Sequence, residues 1–288
     1  MTTAAPFIRT ARGAYLTTPQ NQRVAKNVDV FPVFLKSPAS YLVNITDRRF
    51  TTMIKIVSFK ICPFVQRVTA LLEAKGLDYE VEFISLADKP AWFLQIAPNG
   101  QVPILITDQG QALFESEAIV EYIQDAYGAL QPDLSPEDKA RERAWGYLAA
   151  KNYLVQCAAQ RSNTQEDLTS RAAKLGQLFD KVEKQLSSGA TFFSGESIGW
   201  VDIAWLVLLH RAGLIQESSG FDFIGDRPKL KRWQGNLLKT GLAEKSVATD
   251  FDMAFRDFYL SEQTLLGRKE QTEVQPCSDS SSKSGGCC

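Results

Sequence analysis

From residue 53 onwards, segments with the hydrophobic periodicity of a strand alternate with segments that have the periodicity of a helix. Short β-rich or alternating apolar runs predict strands, and apolar residues at spacings of three and four predict helices. In chain order the predicted elements are a strand over 54–59, a helix over 64–75 closed by Gly76, a strand over 79–84, a short helix over 90–97, strands over 102–107 and 111–114, and a helix over 116–127. This β-α-β-α-β-β-α order indicates a compact mixed α/β domain.

After a proline-containing linker at 130–134 the pattern is helical alone. Ser135, followed by Pro136, is typical of a helix start, and Thr164 starts another helix. Residues 200–212 are apolar nearly all round, which predicts a central buried helix ending at Gly213. The other predicted helices cover 135–158, 164–186, 228–238 and 252–260. The second half should therefore be an all-α domain.

Both ends of the chain differ from this patterned region. The first 52 residues hold seven basic and two acidic residues, a net charge of +5, and are rich in threonine. That composition is compatible with an organellar transit peptide, and equally with a disordered extension or an upstream start before Met53. From residue 266 the chain is polar and rich in serine and glycine. We expect an extension over 1–52, a mixed domain over 53–129, a helical domain over 135–265 and a disordered tail over 266–288.

Composition narrows the class of protein. The 288 residues carry a net charge of −1, which gives no reason to expect nucleic-acid binding. No apolar stretch approaches the roughly 18 to 20 residues needed to cross a bilayer, so no membrane partner is expected. Five widely spaced cysteines do not resemble a secreted disulfide framework. We expect a cytoplasmic protein, or an organellar one if residues 1–52 are a transit peptide.

The single histidine excludes several catalytic chemistries. Zinc sites with several histidines, HExxH peptidases and two-histidine iron sites cannot be built from His210 alone. His210 ends an apolar run, which favours a core or boundary position on a helix. We expect no metal site, and any nucleophile must be activated without an imidazole.

Cys62 is the candidate nucleophile because it stands between a predicted strand and a predicted helix. Pro63 follows it, as is common in a first helical turn. The helix dipole and free N–H groups there lower a thiol pKa from about 8.5 to roughly 3.5–7.5. Arg67 could add positive charge. The alternative interpretation is a small buried cysteine in a strand–helix corner.

The position three residues after Cys62 decides which thiol chemistry is available. Val65 stands where a C-x-x-C oxidoreductase has its second cysteine, so an external thiol must resolve a mixed disulfide on Cys62. Cys157 is a candidate resolving thiol only if the fold brings it close.

Several motifs of the chain, taken together, resemble those of a known protein family. They are Cys62-Pro63-Phe64, Gln66-Arg67, Lys75-Gly76, Asn99-Gly100-Gln101-Val102-Pro103 and Phe114-Glu115-Ser116-Glu117-Ala118-Ile119. In order and spacing the chain resembles a cytosolic glutathione transferase over about residues 53–260. The segment 89–93, Lys-Pro-Ala-Trp-Phe, is most similar to the omega class and its dehydroascorbate-reductase relatives. The resemblance implies a thioredoxin-like domain followed by an all-helical domain.

The resemblance also implies roles for single residues. Cys62 would form the mixed disulfide with glutathione, Val102 would offer backbone hydrogen bonds, and Pro103 would be a cis-proline. The remaining implied glutathione contacts are Phe64, Lys89, Glu115 and Ser116. Each has an ordinary alternative, such as a surface charge for Lys89 or a plain helix start for Glu115 and Ser116. Glutathione would be a cosubstrate with no bound cofactor, and the protein a homodimer acting on a small electrophilic or oxidised substrate.

The expected function is an omega-like, glutathione-dependent thiol transferase or reductase. Two alternatives stay open: a dehalogenase or etherase using the same site, and a non-catalytic binding or regulatory protein of the same fold. The sequence specifies the pocket for the second substrate poorly. Its lining could include Trp145, Tyr147, Tyr153 and Trp205, but their spacing also fits residues of the hydrophobic core. One departure from the family is Gly199, where a serine or threonine usually stands three residues before the aspartate, here Asp202. Finally, Cys277, Cys287 and Cys288 are either a soft-metal or redox site or incidental tail thiols.

Overall fold

A computed structural model describes residues 53–272, with side chains described as far as residue 268. The expectations for the leader over 1–52 and for the three tail cysteines lie outside the described residues.

The first half forms a four-stranded mixed sheet with helices on its two faces. Its elements are β1 (Ile54–Ser58), α1 (Pro63–Lys75), β2 (Tyr79–Phe83), α2 (Ala91–Ile96), β3 (Ile104–Ile106), β4 (Ala112–Phe114) and α3 (Ser116–Ala126). The strands lie in the order β2-β1-β3-β4. Strands β1 and β2 are parallel, and the other two pairings are antiparallel. Types and order agree with the sequence prediction, and the arrangement is thioredoxin-like.

The alternation along β1 explains how one short strand supports both faces of the sheet. Ile54 and Ile56 belong to the large core that includes α1, whereas Val57 packs on the opposite face with Phe93 of α2 and Ile104 of β3. Successive side chains of a strand point to opposite faces, so β1 is buried on both sides. This central position holds the end of β1, and therefore Cys62, in a fixed place.

The second half is entirely helical. Its elements are α4 (Pro136–Lys151), α5 (Tyr153–Gln160), α6 (Gln165–Gln185), α7 (Trp200–Ser219), α8 (Pro228–Leu238), α9 (Leu242–Lys245), α10 (Phe251–Tyr259) and α11 (Leu265–Thr272). Helix α7 is the buried centre and contacts α4, α8 and α1. The predicted caps are confirmed, because Ser135 Oγ accepts from the N–H of Asp138 at 3.1 Å and Thr164 Oγ1 from that of Asp167 at 3.2 Å.

Two predicted helix boundaries are wrong. The helix expected over 135–158 is interrupted at Asn152, whose Nδ2 donates to the carbonyl of Leu148 at 2.7 Å and whose backbone starts α5. Helix α7 continues past Gly213 because Ile215, two residues further on, is still buried in the core. Gly220, with φ of 70°, ends it instead.

The predicted start of the tail, at residue 266, is wrong. Residue 266 falls inside α11, and Leu266 is fully buried. The N–H of Leu265 donates to the carbonyl of Ser162 at 2.8 Å, and α11 contacts α7. A single apolar pair, Leu265 and Leu266, fixes this helix in a segment whose average composition is polar.

Across residues 53–272, none of the helices combines the length and the apolar character that a bilayer crossing requires.

Candidate active site

Cys62 lies at the N-terminus of α1, as the sequence predicts. Its backbone is extended, with φ of −71° and ψ of 120°, and its carbonyl accepts the first helical hydrogen bond from Gln66 at 3.1 Å. The side chain is only 5% exposed. The backbone N–H groups of Val65 and Phe64 act on the sulfur electrostatically, but no cap hydrogen bond to it is formed.

The pKa of the Cys62 thiol is shifted in the opposite direction from the sequence-based prediction. Burial raises the pKa of Cys62 from 9.0 to about 11, and this effect outweighs the N–H groups of Val65 and Phe64 and the charge of Arg211, which lower it. The expected lowering by the helix start is therefore present but too small. The unliganded protein holds Cys62 as a neutral thiol at neutral pH.

The cation near the thiol is not the one the sequence suggested. Arg67 turns away, donating from Nη2 to Ser116 Oγ at 2.8 Å and lying 3.5 Å from the carboxylate of Glu117. Instead the charge of Arg211, from α7, acts on Cys62. Sequence reasoning missed Arg211, although a charged residue in a helix that is apolar all round is a usable signal.

A cleft lies at the ends of α1 and α3, with a volume of about 90 Å³. It brings together five of the predicted glutathione-contacting residues, and its lining consists of Phe64, Asn99, Gln101, Val102, Pro103, Glu115, Ser116 and Glu117. We call it the Val102 cleft. Cys62 does not line it, but Phe64, two residues further along α1, does.

The backbone of the Val102 cleft is prepared for a peptide-like ligand. The Val102–Pro103 bond is cis, as the resemblance implies. No backbone group among residues 53–272 pairs with the N–H or C=O of Val102. An extended ligand could therefore pair with it in the manner of an added strand.

The opposite wall of the cleft is polar. Glu115 has φ of 65°, a strained backbone for a residue other than glycine, and its Oε1 accepts from Asn99 Nδ2 at 2.8 Å. Ser116 is the first residue of α3, so unpaired N–H groups of that helix lie beside its hydroxyl. A carboxylate is favoured at this position and a cation beside Glu115.

Lys89 lies at the rim of the Val102 cleft. Its Nζ is 3.9 Å from the point at which Gly100 would carry a Cβ atom, next to the cleft residue Gln101. Lys89 forms no ion pair with any residue of the described region. Its charge is thus available to an anionic group of a bound ligand.

A larger cavity of about 480 Å³ lies between α1, β2 and the segment 246–250, and Cys62 is one of its lining residues. Cys62, Gln66 and Phe83 are among its lining residues, and the ion pair of Lys60 with Asp250 stands at its wall. We call it the α1–β2 cavity. Cys62 therefore lines the α1–β2 cavity, whereas the Val102 cleft begins at Phe64, two residues further along the chain.

The family of this chain follows from its similarity to known proteins. The family model "Glutathione S-transferase, N-terminal domain" matches residues 61–126, and "Glutathione S-transferase, C-terminal domain" matches residues 158–233. The chain is 32% identical over 212 residues to glutathione S-transferase omega-1 of Sus scrofa, covering 72% of this chain and 86% of the relative. The chain belongs to the glutathione S-transferase family.

Other relatives agree with this assignment. Glutathione S-transferase omega-2 of Homo sapiens is 30% identical, with 63% of this chain and 74% of the relative covered. The probable glutathione S-transferase DHAR2, chloroplastic, of Oryza sativa subsp. japonica is 32% identical over half of this chain and 49% of the relative. The Tau-class glutathione S-transferase of mango superposes with a TM-score of 0.61 at 25% identity, covering 72% of this chain and 98% of that one. The fold and the resemblance found in the sequence are confirmed, and glutathione is the cosubstrate of this transferase.

The four aromatic residues considered for the second-substrate pocket of the transferase each contact another aromatic ring. Tyr153 and Trp205 are fully buried, and none of the four candidates lines the Val102 cleft or the α1–β2 cavity. Tyr153 donates to the carbonyl of Ala204 at 2.6 Å. His210 is also a core residue, as expected: its Nδ1 lies 2.9 Å from Gln66 Nε2, and burial lowers its pKa to about 3.

The departure at Gly199 has a structural reason in this transferase. Asp202 accepts from the N–H groups of Gly199 at 2.8 Å and Phe193 at 3.0 Å, and from Trp233 Nε1 at 2.7 Å, so the helix start is held from the aspartate. A Cβ at position 199 would overlap the side-chain amide of Gln131. Gln131 occupies the space that the usual serine or threonine would need.

Proposed function

We propose that this transferase is a glutathione-dependent thiol transferase or reductase in which the thiol of Cys62 forms a mixed disulfide with glutathione. The observation that carries the proposal is the position of Cys62 at the start of α1, in the wall of the α1–β2 cavity and two residues from Phe64 of the Val102 cleft. The omega-class relatives and the relative named DHAR2 support a transferase and reductase of this type. Residues 53–129 form the glutathione-binding domain, and the helices from residue 135 onwards form the second domain.

Glutathione lies in the Val102 cleft in this proposal. The free N–H and C=O of Val102 pair with its cysteinyl unit, and Phe64 lines the same wall. The γ-glutamyl end carries an amine and a carboxylate, which fit Glu115 and the N-terminus of α3 at Ser116. Lys89 faces the glycyl carboxylate from the rim.

The catalytic cycle is a pair of thiol–disulfide exchanges. The thiolate of Cys62 attacks the glutathionyl sulfur of a mixed disulfide, the S–S bond breaks, and the acceptor leaves as a thiol. A second glutathione thiolate then attacks the glutathionyl sulfur on Cys62, which releases Cys62 and glutathione disulfide. An oxidised acceptor that needs two electrons and two protons obtains them from the same pair of glutathione molecules.

The α1–β2 cavity supports a small acceptor as the second substrate. Its volume of about 480 Å³ lies within the range of ligand pockets, and Cys62 forms part of its wall. Lys60 provides a positive charge for an oxidised or electrophilic group, although Asp250 now pairs with it.

The family resemblance supports a homodimer in the cytoplasm. If residues 1–52 act as a transit peptide, the compartment is an organelle, as the chloroplastic name of the rice relative suggests for that protein.

The experiment compares the wild type with Cys62→Ser in glutathione-dependent reduction of a glutathione mixed disulfide and of dehydroascorbate. Cys277→Ser is the matched control, since it removes a thiol from the tail. We expect Cys62→Ser to lose activity with both acceptors and Cys277→Ser to keep it. Full activity in Cys62→Ser would refute the role of Cys62, and haloarene or aryl-ether substrates in the same assay test the alternative chemistries.

A further inference from the structure

A second thiol lies in the same electrostatic environment as Cys62. Cys157, on α5, is partly exposed, and the hydroxyl of Tyr259 on α10 donates to its sulfur at 3.1 Å. Both Cys62 and Cys157 are free thiols in the structure. This contact places the sulfur of Cys157 beside a hydroxyl group, and the thiolate is the form of a cysteine that attacks a disulfide.

Packing between α1 and α5 brings the two cysteines into one region of the core. The ring of Phe64, two residues after Cys62, packs edge-on against Tyr153 with 5.3 Å between ring centroids. Tyr153 is one helical turn before Cys157 on α5, so the two residues lie on the same side of that helix. Besides the larger effect of burial, a thiolate at Cys157 raises the pKa of Cys62, and a thiolate at either cysteine raises the pKa of Tyr259.

Arg211 supplies a cation to this region. It is fully buried, its Nε donates to Gln66 at 3.1 Å, and its guanidinium lies 5.7 Å from the centroid of Phe255, whose ring contacts Tyr259. Neither Nη atom of Arg211 has a hydrogen-bond partner within residues 53–272. A buried cation without a carboxylate partner is costly unless an anion forms near it, and Cys62 and Tyr259 are acidic groups on which its charge acts.

We propose that Cys157 is a second redox-active thiol, which attacks the mixed disulfide formed between Cys62 and glutathione. This inference rests on the proposed function of Cys62. The sulfur of Cys157 bonds to the sulfur of Cys62, the bond from Cys62 to glutathione breaks, and glutathione leaves as a thiol with the proton that Cys157 loses. Two external glutathione molecules then reduce the Cys62–Cys157 disulfide and leave as glutathione disulfide.

Cys157 would take the role of the second cysteine of a C-x-x-C motif. Val65 occupies that position on α1, so α1 itself offers no partner for Cys62. The helical domain supplies the thiol instead, together with Tyr259 and Arg211. The chain would then alternate between a one-cysteine cycle at high glutathione and a two-cysteine state when glutathione is scarce.

The test uses the full chain with Cys277, Cys287 and Cys288 replaced by serine, so that only Cys62 and Cys157 remain. Reduced protein is mixed with glutathione disulfide, alkylated at successive times, digested and analysed by mass spectrometry. We expect a glutathione adduct on Cys62 that decays into a Cys62–Cys157 disulfide. With Cys157→Ser added, the adduct should persist at least about tenfold longer.

Tyr259→Phe provides a second variant that keeps the ring and removes the hydroxyl. We expect slower formation of the Cys62–Cys157 disulfide, with the first step, glutathionylation of Cys62, unchanged. An adduct on Cys62 that decays equally fast with and without Cys157, and never yields the cross-linked peptide, overturns this inference alone. Absence of any adduct on Cys62 overturns the proposed function and this inference with it.

Discussion

Arg211 donates a hydrogen bond from Nε to Oε1 of Gln66 at 3.1 Å, one helical turn beyond Cys62. The pair links α7 of the helical domain to α1 of the thioredoxin-like domain at a fully buried position. Because Arg211 is the cation that acts on the thiol, the second domain takes part in the electrostatics of the first. The environment of the Cys62 thiol therefore depends on how the two domains pack.

Replacing Arg211 by methionine should raise the pKa of Cys62 further. Methionine fills a similar volume without charge, so the favourable effect of the cation on the thiolate is lost. Each additional pKa unit lowers the rate of alkylation at a fixed pH by about tenfold. The measurement is the rate of iodoacetamide labelling of Cys62 between pH 7 and 10. Arg67→Met is the control, and an equal effect of both replacements would contradict the role of Arg211.

The pH dependence of Cys62 in the unliganded protein follows from its raised pKa. With a pKa of about 11, the thiolate fraction should rise roughly tenfold per pH unit from 7 to 10, without a plateau. The folded chain also binds the thiol proton more tightly than the ordinary value of 9.0 allows, so this group lowers the free energy of unfolding as pH rises from 9.0 to about 11. A labelling rate that levels off below pH 8 would show that the thiol is already activated.

Gly199→Ser should change the stability of the transferase little although serine is a better helix cap. The added Cβ overlaps the amide of Gln131, which must turn away, and we expect this shift of a flexible side chain to offset the few tenths of a kcal/mol that a capping serine provides over glycine. In a Gln131→Ala background the space is open, so the same replacement should be neutral or stabilising. Urea unfolding of the two single variants and the double variant measures this coupling. Purely additive effects would rule out the explanation.

Lys89→Ala should weaken glutathione binding with little effect on the chemical step. The ammonium lies at the rim of the Val102 cleft, where it can contact a ligand carboxylate but not the sulfur of Cys62. We expect the KM for glutathione to rise by about three- to tenfold with kcat nearly unchanged, since an exposed charge pair contributes about 1 kcal/mol. Lys174→Ala, on the exposed side of α6, is the control. A fall in kcat alone would contradict the assignment.

The sequence predicted those parts of the site that depend on local chain geometry. Cys62 at a helix start and the start of α3 at Ser116 follow from short motifs whose backbone is set by neighbouring residues, whereas the cis bond before Pro103 was implied by the family resemblance. The thioredoxin-like order of elements was likewise predicted, because each strand and helix has a clear periodicity. Helix ends were less reliable, since the buried Ile215 overrides the glycine at 213.

What the sequence did not predict depends on residues that meet only in the folded chain. Burial of Cys62 reverses the direction of its pKa shift, and no local pattern reports that burial. Arg211 is 149 positions from Cys62 in the chain, and Tyr259 is 102 positions from its partner Cys157. Gln131 explains Gly199 only because the linker passes the start of α7.

The most direct test of the account is the kinetics of glutathione on Cys62. Wild-type protein is mixed rapidly with a glutathione mixed disulfide, quenched with acid, and the peptide that contains Cys62 is followed by mass spectrometry. We expect this peptide to gain one glutathionyl group at least as fast as the enzyme turns over, and free glutathione to remove it at a comparable rate. Turnover that proceeds while Cys62 stays unmodified, or that survives in Cys62→Ser, would contradict the central claim.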